Sequence, residues 1–254
     1  MKNLSSIING QLNLVWNEQI LERNPFALAN QNNPQGFVLG GQPGAGKSSL
    51  IAEAKNRLNR NILEINGDNF RKYHPDYKIL QERYAEDAPK YTAEFAGAMT
   101  EAIFQKALNE RYNIVIEGTF RTAKTPIKTL QKLKDNGYET TVLIQTCNKD
   151  ISWASCLERY EKMLQANPKE ARFTPKEHHD VVVENLSKNI KEVEKSKLAD
   201  NMQIFVRTPS KENSQIFESK EIYNSNSKKP VNVATIDKHI LEERQRGRDR
   251  GLSL

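Results

Sequence analysis

The sequence predicts an α/β protein with a mostly parallel sheet and helices on both faces. Strand-sized apolar runs alternate with helical patterns along the chain, which is the spacing of βαβ units. The runs "IVIEG" and "TVLIQ" are apolar almost throughout, as strands buried on both faces are. A glycine-rich turn joins the first expected strand to the first helix after it, where parallel sheets place their ligands.

The first strand is expected at "GFVLGG" (36–41). The helix "KSSLIAEAKNRLNR" follows, with Leu50, Ile51, Ala54 and Leu58 on one face at helical spacing. "RNILEING" is read as a second strand, and the region through "TAEFAGAMTEAIFQKALNER" as a long helix. "YNIVIEGT" is a third strand. A helix starting near Pro126 and stopping at Gly137 then leads to the strand "YETTVLIQTC" and the helix "KDISWASCLERYEKMLQ". Late in the chain "NMQIFVRT" reads as another strand, and the Ser/Asn/Lys-rich "SKENSQIFESKEIYNSNSKKP" as a mobile or edge-strand region. The whole chain, 1–254, is expected to be one domain with no internal repeat.

Composition excludes several classes. A hydrophobic fraction of 37% with 28% charged residues is that of a soluble globular chain, neither disordered nor fibrous. No apolar run approaches the ~20 residues of a membrane helix. The N-terminus has no continuous apolar core or small-residue cleavage site, so no secretory signal is expected. Two cysteines, Cys147 and Cys156, lack metal-ligand spacing and fit a reducing cytoplasm as ordinary core residues. The net charge of +6 is spread among interleaved acids, as in "NIKEVEKSKLAD", so neither a nucleic-acid nor a membrane partner is expected. Only the end, 242–254, is locally basic, and it reads as a frayed tail. Trp16 and Trp153 are expected in the core. His178 and His179 are adjacent, so on a helix they point about 100° apart and make a poor metal pair.

The strongest local signal is "GQPGAGKSS". Gly41, Gln42, Pro43, Gly44, Ala45, Gly46, Lys47 and Ser48 satisfy G-x-x-x-x-G-K-[ST], with a strand before and a helix after, and Ser49 continues the expected phosphate cradle. Glycines let backbone N–H groups turn inward around a phosphate, and the helix N-terminus faces the same anion. Lys47 then reaches the β- and γ-phosphates of ATP, and the Ser48 hydroxyl is expected to ligate Mg²⁺. The second strand breaks at Asn66-Gly67 and is followed by a single acid, Asp68, with Arg71 and Lys72 just behind. A turn-forming Asp explains this in isolation. Beside a P-loop, a general base that aligns an accepting hydroxyl explains it better. The implied architecture is a P-loop kinase-like three-layer sandwich.

The segments "LGGQPGAGKSSL", "NGDNFRKYHPDY", "MTEAIFQKAL", "YNIVIEGTFRT", "ERYEKM" and "ARFTPKEHHD" together resemble the zeta toxin family, in register from about residue 35 to 190. Its members are bacterial toxins of toxin–antitoxin systems that phosphorylate the 3′-hydroxyl of the sugar in UDP-N-acetylglucosamine. The resemblance implies that Asp68 is the catalytic base and Lys47 the P-loop lysine. It implies that Glu101, Glu117, Thr119, Arg121 and Thr129 hold the UDP-sugar, and that Arg159 and Arg172 close on the transferring phosphate. The polar, proline-interrupted stretch of about 159–175 is then expected to be a lid. Phe120, a bulky aromatic between Thr119 and Arg121, is expected to reshape the sugar pocket. An inhibitor is expected to be a separate small helical antitoxin chain. Two alternatives stay open on the residues alone: a P-loop kinase of another small-molecule or nucleic-acid hydroxyl, and a non-catalytic NTP-binding switch.

Overall fold

The computed structural model describes residues 3–118, 120–168, 171–210 and 217–241. Thr119 and the basic stretch 242–254 lie outside the described residues. Six strands form one sheet: β1 (Gln35–Gly40), β2 (Leu63–Ile65), β3 (Ile114–Glu117), β4 (Glu139–Thr146), β5 (Asn201–Pro209) and β6 (Phe217–Asn224). Their spatial order is β2-β3-β1-β4-β5-β6. The first five run parallel, and β6 pairs antiparallel with β5. The Ser/Asn/Lys-rich region therefore supplies an edge strand.

Alternation along the strands sorts the core into two layers of packing. Phe37 and Leu39 of β1, Val115 of β3 and Leu143 of β4 pack with Leu50 and Ala54 of helix α2 (Ser48–Arg57). Their neighbours Val38, Ile114, Ile116, Val142 and Ile144 point to the opposite face, into the larger cluster. That face is covered by α1 (Leu4–Val15), α5 (Ala93–Asn109), α6 (Lys124–Asp135), α8 (Lys176–Lys195) and α9 (Val233–Leu241). Helix–sheet–helix is the three-layer arrangement the sequence predicts. Around the front edge run α3 (Tyr77–Tyr84), α4 (Ala88–Tyr91) and α7 (Lys149–Ala166).

No strand or turn signal in the sequence marks the N-terminal helix, yet it is well founded. Asn3 caps α1 by accepting from the Ser6 N–H at 2.8 Å. The helix then loosens into a π-helical turn, Trp16–Leu21, where the Glu22 N–H reaches back to the Asn17 carbonyl at 3.0 Å. Trp16 packs edge-on against Tyr112 in the core, as expected. Trp153 does not: it is half-buried at the α7–α8 junction, with Phe173 at 6.4 Å and His179 at 5.4 Å. Helix α6 begins at Lys124, two residues before Pro126, because proline in the first turn has no N–H to satisfy. It ends at Asp135, and Gly137, just past the Asn136 cap, takes the φ of +74° that is the left-handed conformation of a helix C-terminus.

Strand order positions the site. β1 lies between β3 and β4, so the connections leave it toward opposite sides and a crevice opens beyond the carboxyl ends of β3, β1 and β4. Leu130 of α6 is fully buried beneath this arrangement. Leu130→Ala is expected to cost about 2–5 kcal/mol of unfolding free energy, read as a lowered midpoint in denaturant titration with an unchanged slope.

Candidate active site

The loop between β1 and α2 is built around three glycines with positive φ: Gly41 (+136°), Gly44 (+77°) and Gly46 (+90°). A Cβ on Gly41 would stand 1.9 Å from the Gln145 carbonyl oxygen, and one on Gly44 1.9 Å from that of Ser152. Both steric room and backbone conformation therefore demand glycine. The Gln42 side chain is buried and turned away from the cradle. Its Nε2 donates to the Cys147 carbonyl at 2.7 Å, and its Oε1 accepts from the Thr146 hydroxyl at 2.9 Å, pinning the loop to the end of β4. Ser48 opens α2 exposed, while the Ser49 hydroxyl donates to the Gly46 carbonyl at 2.9 Å.

Lys47 is 8% exposed, and its ammonium donates to the carbonyls of Gly41 (3.1 Å) and Gln42 (3.2 Å). Burial lowers its pKa; Glu117, with Oε1 3.7 Å away, opposes that shift. Glu117 closes β3 and is in register with Leu39 of β1, which puts its carboxylate beside the loop. Its other oxygen accepts from Asn66 Nδ2 at 2.7 Å. Asn66 in turn caps the 3₁₀ turn Gly67–Tyr73: its Oδ1 accepts from the Asp68 N–H at 3.0 Å. A single asparagine thus ties the turn bearing Asp68 to the acid facing Lys47. Gly67 is required for close approach, since a Cβ there would stand 2.6 Å from the Thr100 hydroxyl on α5.

The Asp68 side chain is 58% accessible and opens into the cleft. Arg71 Nε donates to its Oδ1 at 2.8 Å, and the same guanidinium is anchored on the Pro89 carbonyl (2.7 Å) and the Thr92 hydroxyl (2.9 Å). Desolvation in the cleft would raise the Asp68 pKa, but Arg71, Arg172 and Arg159 outweigh it and hold the carboxyl below the usual carboxylate range. The carboxylate is ionised at neutral pH.

Arg159 stands on α7, which remains helical through Ala166, so the expected lid is helical over its first half. Its Nη2 donates to the Thr174 hydroxyl at 3.0 Å, and Gln81 of α3 donates to the Ala171 carbonyl at 3.2 Å. Residues 169 and 170 lie outside the described residues. Arg172 follows on the connector to α8, with its Nη1 buried and lacking a hydrogen-bond partner among the described residues. Glu101 turns toward α6, where it pairs with Lys132. The Thr129 hydroxyl donates to the Thr125 carbonyl at 3.1 Å, and Arg121 is exposed at the head of α6. Phe120 does not enter a sugar pocket. It is 3% exposed, takes φ +56°, packs on Gly40 and has its carbonyl held by Asn189 Nδ2 at 2.8 Å.

Three contributors escaped sequence reasoning. Asn66 was legible only as half of a turn. Arg71 was recognised as a neighbouring charge, though not as a bonded clamp. Arg207 at the end of β5 gave no signal: its Nη1 donates to the Gly44 carbonyl (3.0 Å) and Ser155 hydroxyl (3.2 Å), and its guanidinium lies 3.9 Å from the Phe217 ring centroid. Cys147 and Cys156 are buried core thiols beside the loop, and burial pushes Cys147 up to about 12.

The sheet order, the glycine cradle with its lysine and the acid at the neighbouring strand end define a P-loop protein of kinase-like, phosphotransferase architecture. Residues 17–227 match the family model described as Zeta toxin, and the chain belongs to that family. It is 40% identical over 192 residues to Toxin PezT of Streptococcus pneumoniae, covering 76% of this chain and 74% of the relative. It is 36% identical over 209 residues to Toxin zeta of Streptococcus agalactiae, covering 82% and 72%. A solved structure from the PezAT chromosomal toxin–antitoxin system of S. pneumoniae superposes with a TM-score of 0.76 at 28% identity, over 96% of this chain and 90% of that one. Among the described residues no helix is long and apolar enough to cross a membrane.

The Arg71 clamp makes a measurable prediction. In Arg71→Gln the titration midpoint of the Asp68 carboxyl is expected to rise, followed by carbon-detected NMR from acid to neutral pH. A midpoint that stays where it is in the parent protein would show that Arg71 does not set the charge of Asp68.

Proposed function

We propose that the protein is an ATP- and Mg²⁺-dependent kinase acting on the 3′-hydroxyl of the sugar in UDP-N-acetylglucosamine or a related UDP-sugar, and that it is the toxin of a cytoplasmic toxin–antitoxin pair. The observation that carries the reading is an ionised carboxylate, Asp68, tied through Asn66 and Glu117 to the P-loop lysine. A hydroxyl lodged against Asp68 is then presented to a phosphate lodged on the loop. In the transfer, the sugar oxygen forms a bond to the γ-phosphorus, the bond from that phosphorus to the β–γ bridging oxygen breaks, and ADP leaves. The hydroxyl proton passes to Asp68.

A carboxylate with a lowered pKa is a weak base toward a resting hydroxyl. That suits phosphoryl transfer through a loose transition state, where the attacking oxygen loses its proton only as its bond to phosphorus forms. Asp68 acts chiefly by alignment, and accepts the proton late. Lys47 follows the γ-phosphate oxygens, and Arg159 and Arg172 meet the charge spread over the transferring group, for which a planar, permanently charged fork is well suited. Glu101, Glu117, Arg121 and Thr129 are assigned to the sugar nucleotide, with Thr119 joined to them on the family resemblance. The glycine cradle and the exposed hydroxyl of Ser48 fit a nucleotide with its metal; Ser48 would hold Mg²⁺, which supplies neutralisation of the phosphate oxygens. The inhibitor is proposed to be a separate small helical antitoxin chain, in keeping with the toxin–antitoxin system from which the superposed structure comes.

Asp68→Asn is expected to retain binding of both ATP and UDP-N-acetylglucosamine while kcat falls by about 10²-fold or more. Lys47→Ala is expected to lose on the order of 10²-fold in rate. Alanine at Arg159 or Arg172 should lower kcat far more than it weakens sugar-nucleotide binding. Incubation with ATP, Mg²⁺ and a panel of UDP-sugars, free sugars, antibiotics and oligonucleotides, read by mass and by NMR location of the phosphate, identifies the acceptor. Phosphate on a non-sugar acceptor alone would overturn the substrate, and normal turnover by Asp68→Asn would overturn the base.

A further inference from the structure

The phosphate loop is pinned to β4 through Gln42 and lies against α7 at Gly44. A third hold reaches it from β5. Arg207, two residues before the end of that strand, faces the same side as Phe205, which packs against the core cluster beneath α2. Its pairing partner on β6 is Ser219, so Phe217 lies on the neighbouring diagonal of the same face, with its ring centroid 3.9 Å from the guanidinium. Braced there, the half-buried arginine runs along the loop. A Cβ on Gly46 would stand 3.1 Å from its Cδ, and its Nη1 donates to the Gly44 carbonyl at 3.0 Å and to the Ser155 hydroxyl at 3.2 Å.

The peptide between Gly44 and Ala45 is thereby gripped at both ends. Its N–H donates to the Gln42 carbonyl at 3.2 Å, while its carbonyl oxygen takes the Arg207 bond. A peptide unit is a rigid plane, so two bonds on opposite edges fix its rotation. That matters at Gly44, where the φ of +77° belongs to a residue with no Cβ to hold it. With the bond in place, the negative end of the peptide dipole rests on a cation. Without it, that end is free to turn toward a bound phosphate, which it would repel. The same guanidinium also grips α7 at Ser155, one helical turn before Arg159.

We propose that Arg207 is a positioning residue of the phosphate site: it holds the Gly44–Ala45 peptide so that a triphosphate meets a cradle already in its binding shape. The role rests on the nucleotide reading above and is independent of which acceptor is phosphorylated. Arg207 acts through Gly44 and not on the ligand. Its loss therefore lowers the fraction of loops competent to bind, which weakens every ligand of the cradle by the same factor.

Two variants of the full chain test this. Arg207→Met keeps a stem against Gly46 and Phe217 but has no donor, and Arg207→Lys restores a donor and the charge. With Mg²⁺ present, a non-hydrolysable ATP analogue and inorganic tripolyphosphate are each titrated calorimetrically into the folded proteins. Arg207→Met is expected to weaken both ligands by a similar factor, about tenfold or more, as befits loss of a charge-assisted hydrogen bond. Arg207→Lys should recover most of that loss. In turnover, Arg207→Met should raise KM for ATP and leave KM for UDP-N-acetylglucosamine where it is. Weakening of the analogue with tripolyphosphate unaffected would mean that Arg207 reads the nucleoside directly, and overturns the positioning role. Equal binding by the parent and Arg207→Met, or equal losses in both variants, overturns it too. A parent protein that binds neither ligand sinks the nucleotide reading and the clamp together. If both ligands behave as expected but no UDP-sugar is phosphorylated, the clamp stands and the assigned acceptor falls.

Discussion

The ammonium of Lys47 is almost wholly removed from water, and a buried cation is tolerable only if it is hydrogen-bonded and compensated. Its compensation comes from two loop carbonyls and, at 3.7 Å, from Glu117. Glu117 is itself held by Asn66, which also caps the turn carrying Asp68. One chain of polar contacts therefore crosses the ends of β1, β3 and β2, and fixes the spacing between the group that would meet a phosphate and the group that would meet a hydroxyl. Loosening any link exposes a buried charge to an unpaired state, so the geometry is defended by electrostatics as well as by packing.

The sheet makes that chain possible. Register between β1 and β3 sets Glu117 opposite Leu39, one residue short of the strand end from which the glycine loop departs. β2 pairs with β3 so that Ile65 lies opposite Ile116, which delivers Asn66 to the level of Glu117. Parallel pairing thus converts three sequence-distant segments into neighbours at one edge. The loop is held just as tightly from the other side, because Gly41 and Gly44 lie against the carbonyls of Gln145 and Ser152 and Gln42 is bonded into β4. A substituted glycine there would disturb strand end and helix together.

Much of this was legible beforehand, for identifiable reasons. Buried parallel strands read as continuous apolar runs, so β1, β3 and β4 announced themselves, and a Gly-rich turn between strand and helix marks its own chemistry. Asp68 was legible by position, given a P-loop next door. What stayed hidden depends on long-range packing. Arg207, bonded to Ser155 of α7, meets the loop at Gly44 from more than 100 residues away, with no local pattern to betray it. Phe120 looked like a pocket residue because it adjoins Thr119 and Arg121. Its positive φ turns it instead into the core against Gly40, a conformation no propensity scale would assign to an aromatic. The first helices were missed because "LSSIINGQLNLVWNEQ" has weak helix formers, and its helix is secured by the Asn3 cap and by the burial of Ile8, Val15, Trp16 and Ile20.

The least expected arrangement lies behind the loop. Ser152 Oγ is 2.8 Å from His179 Nε2, and His179 Nδ1 is 3.1 Å from Asp180 Oδ1. Serine, histidine and aspartate in that order invite comparison with a hydrolase triad, but Ser152 is 0% and His179 1% exposed, so no substrate carbonyl can reach the hydroxyl. Burial lowers the His179 pKa, which favours the neutral ring, with Asp180 at Nδ1 and, at Nε2, the Ser152 hydroxyl, which also donates to the Lys149 carbonyl at 2.8 Å. The contact is better understood as a strut. The Ser152 carbonyl lies against Gly44, its hydroxyl meets the first turn of α8, and α7, to which it belongs, carries Arg159. Arg172 sits four residues before α8 begins, and Thr174 bonds Arg159 across the gap. Loop and arginines are therefore joined through one buried hydrogen bond, so a displacement of either helix that moved the arginines would also be felt at the backbone of the phosphate cradle.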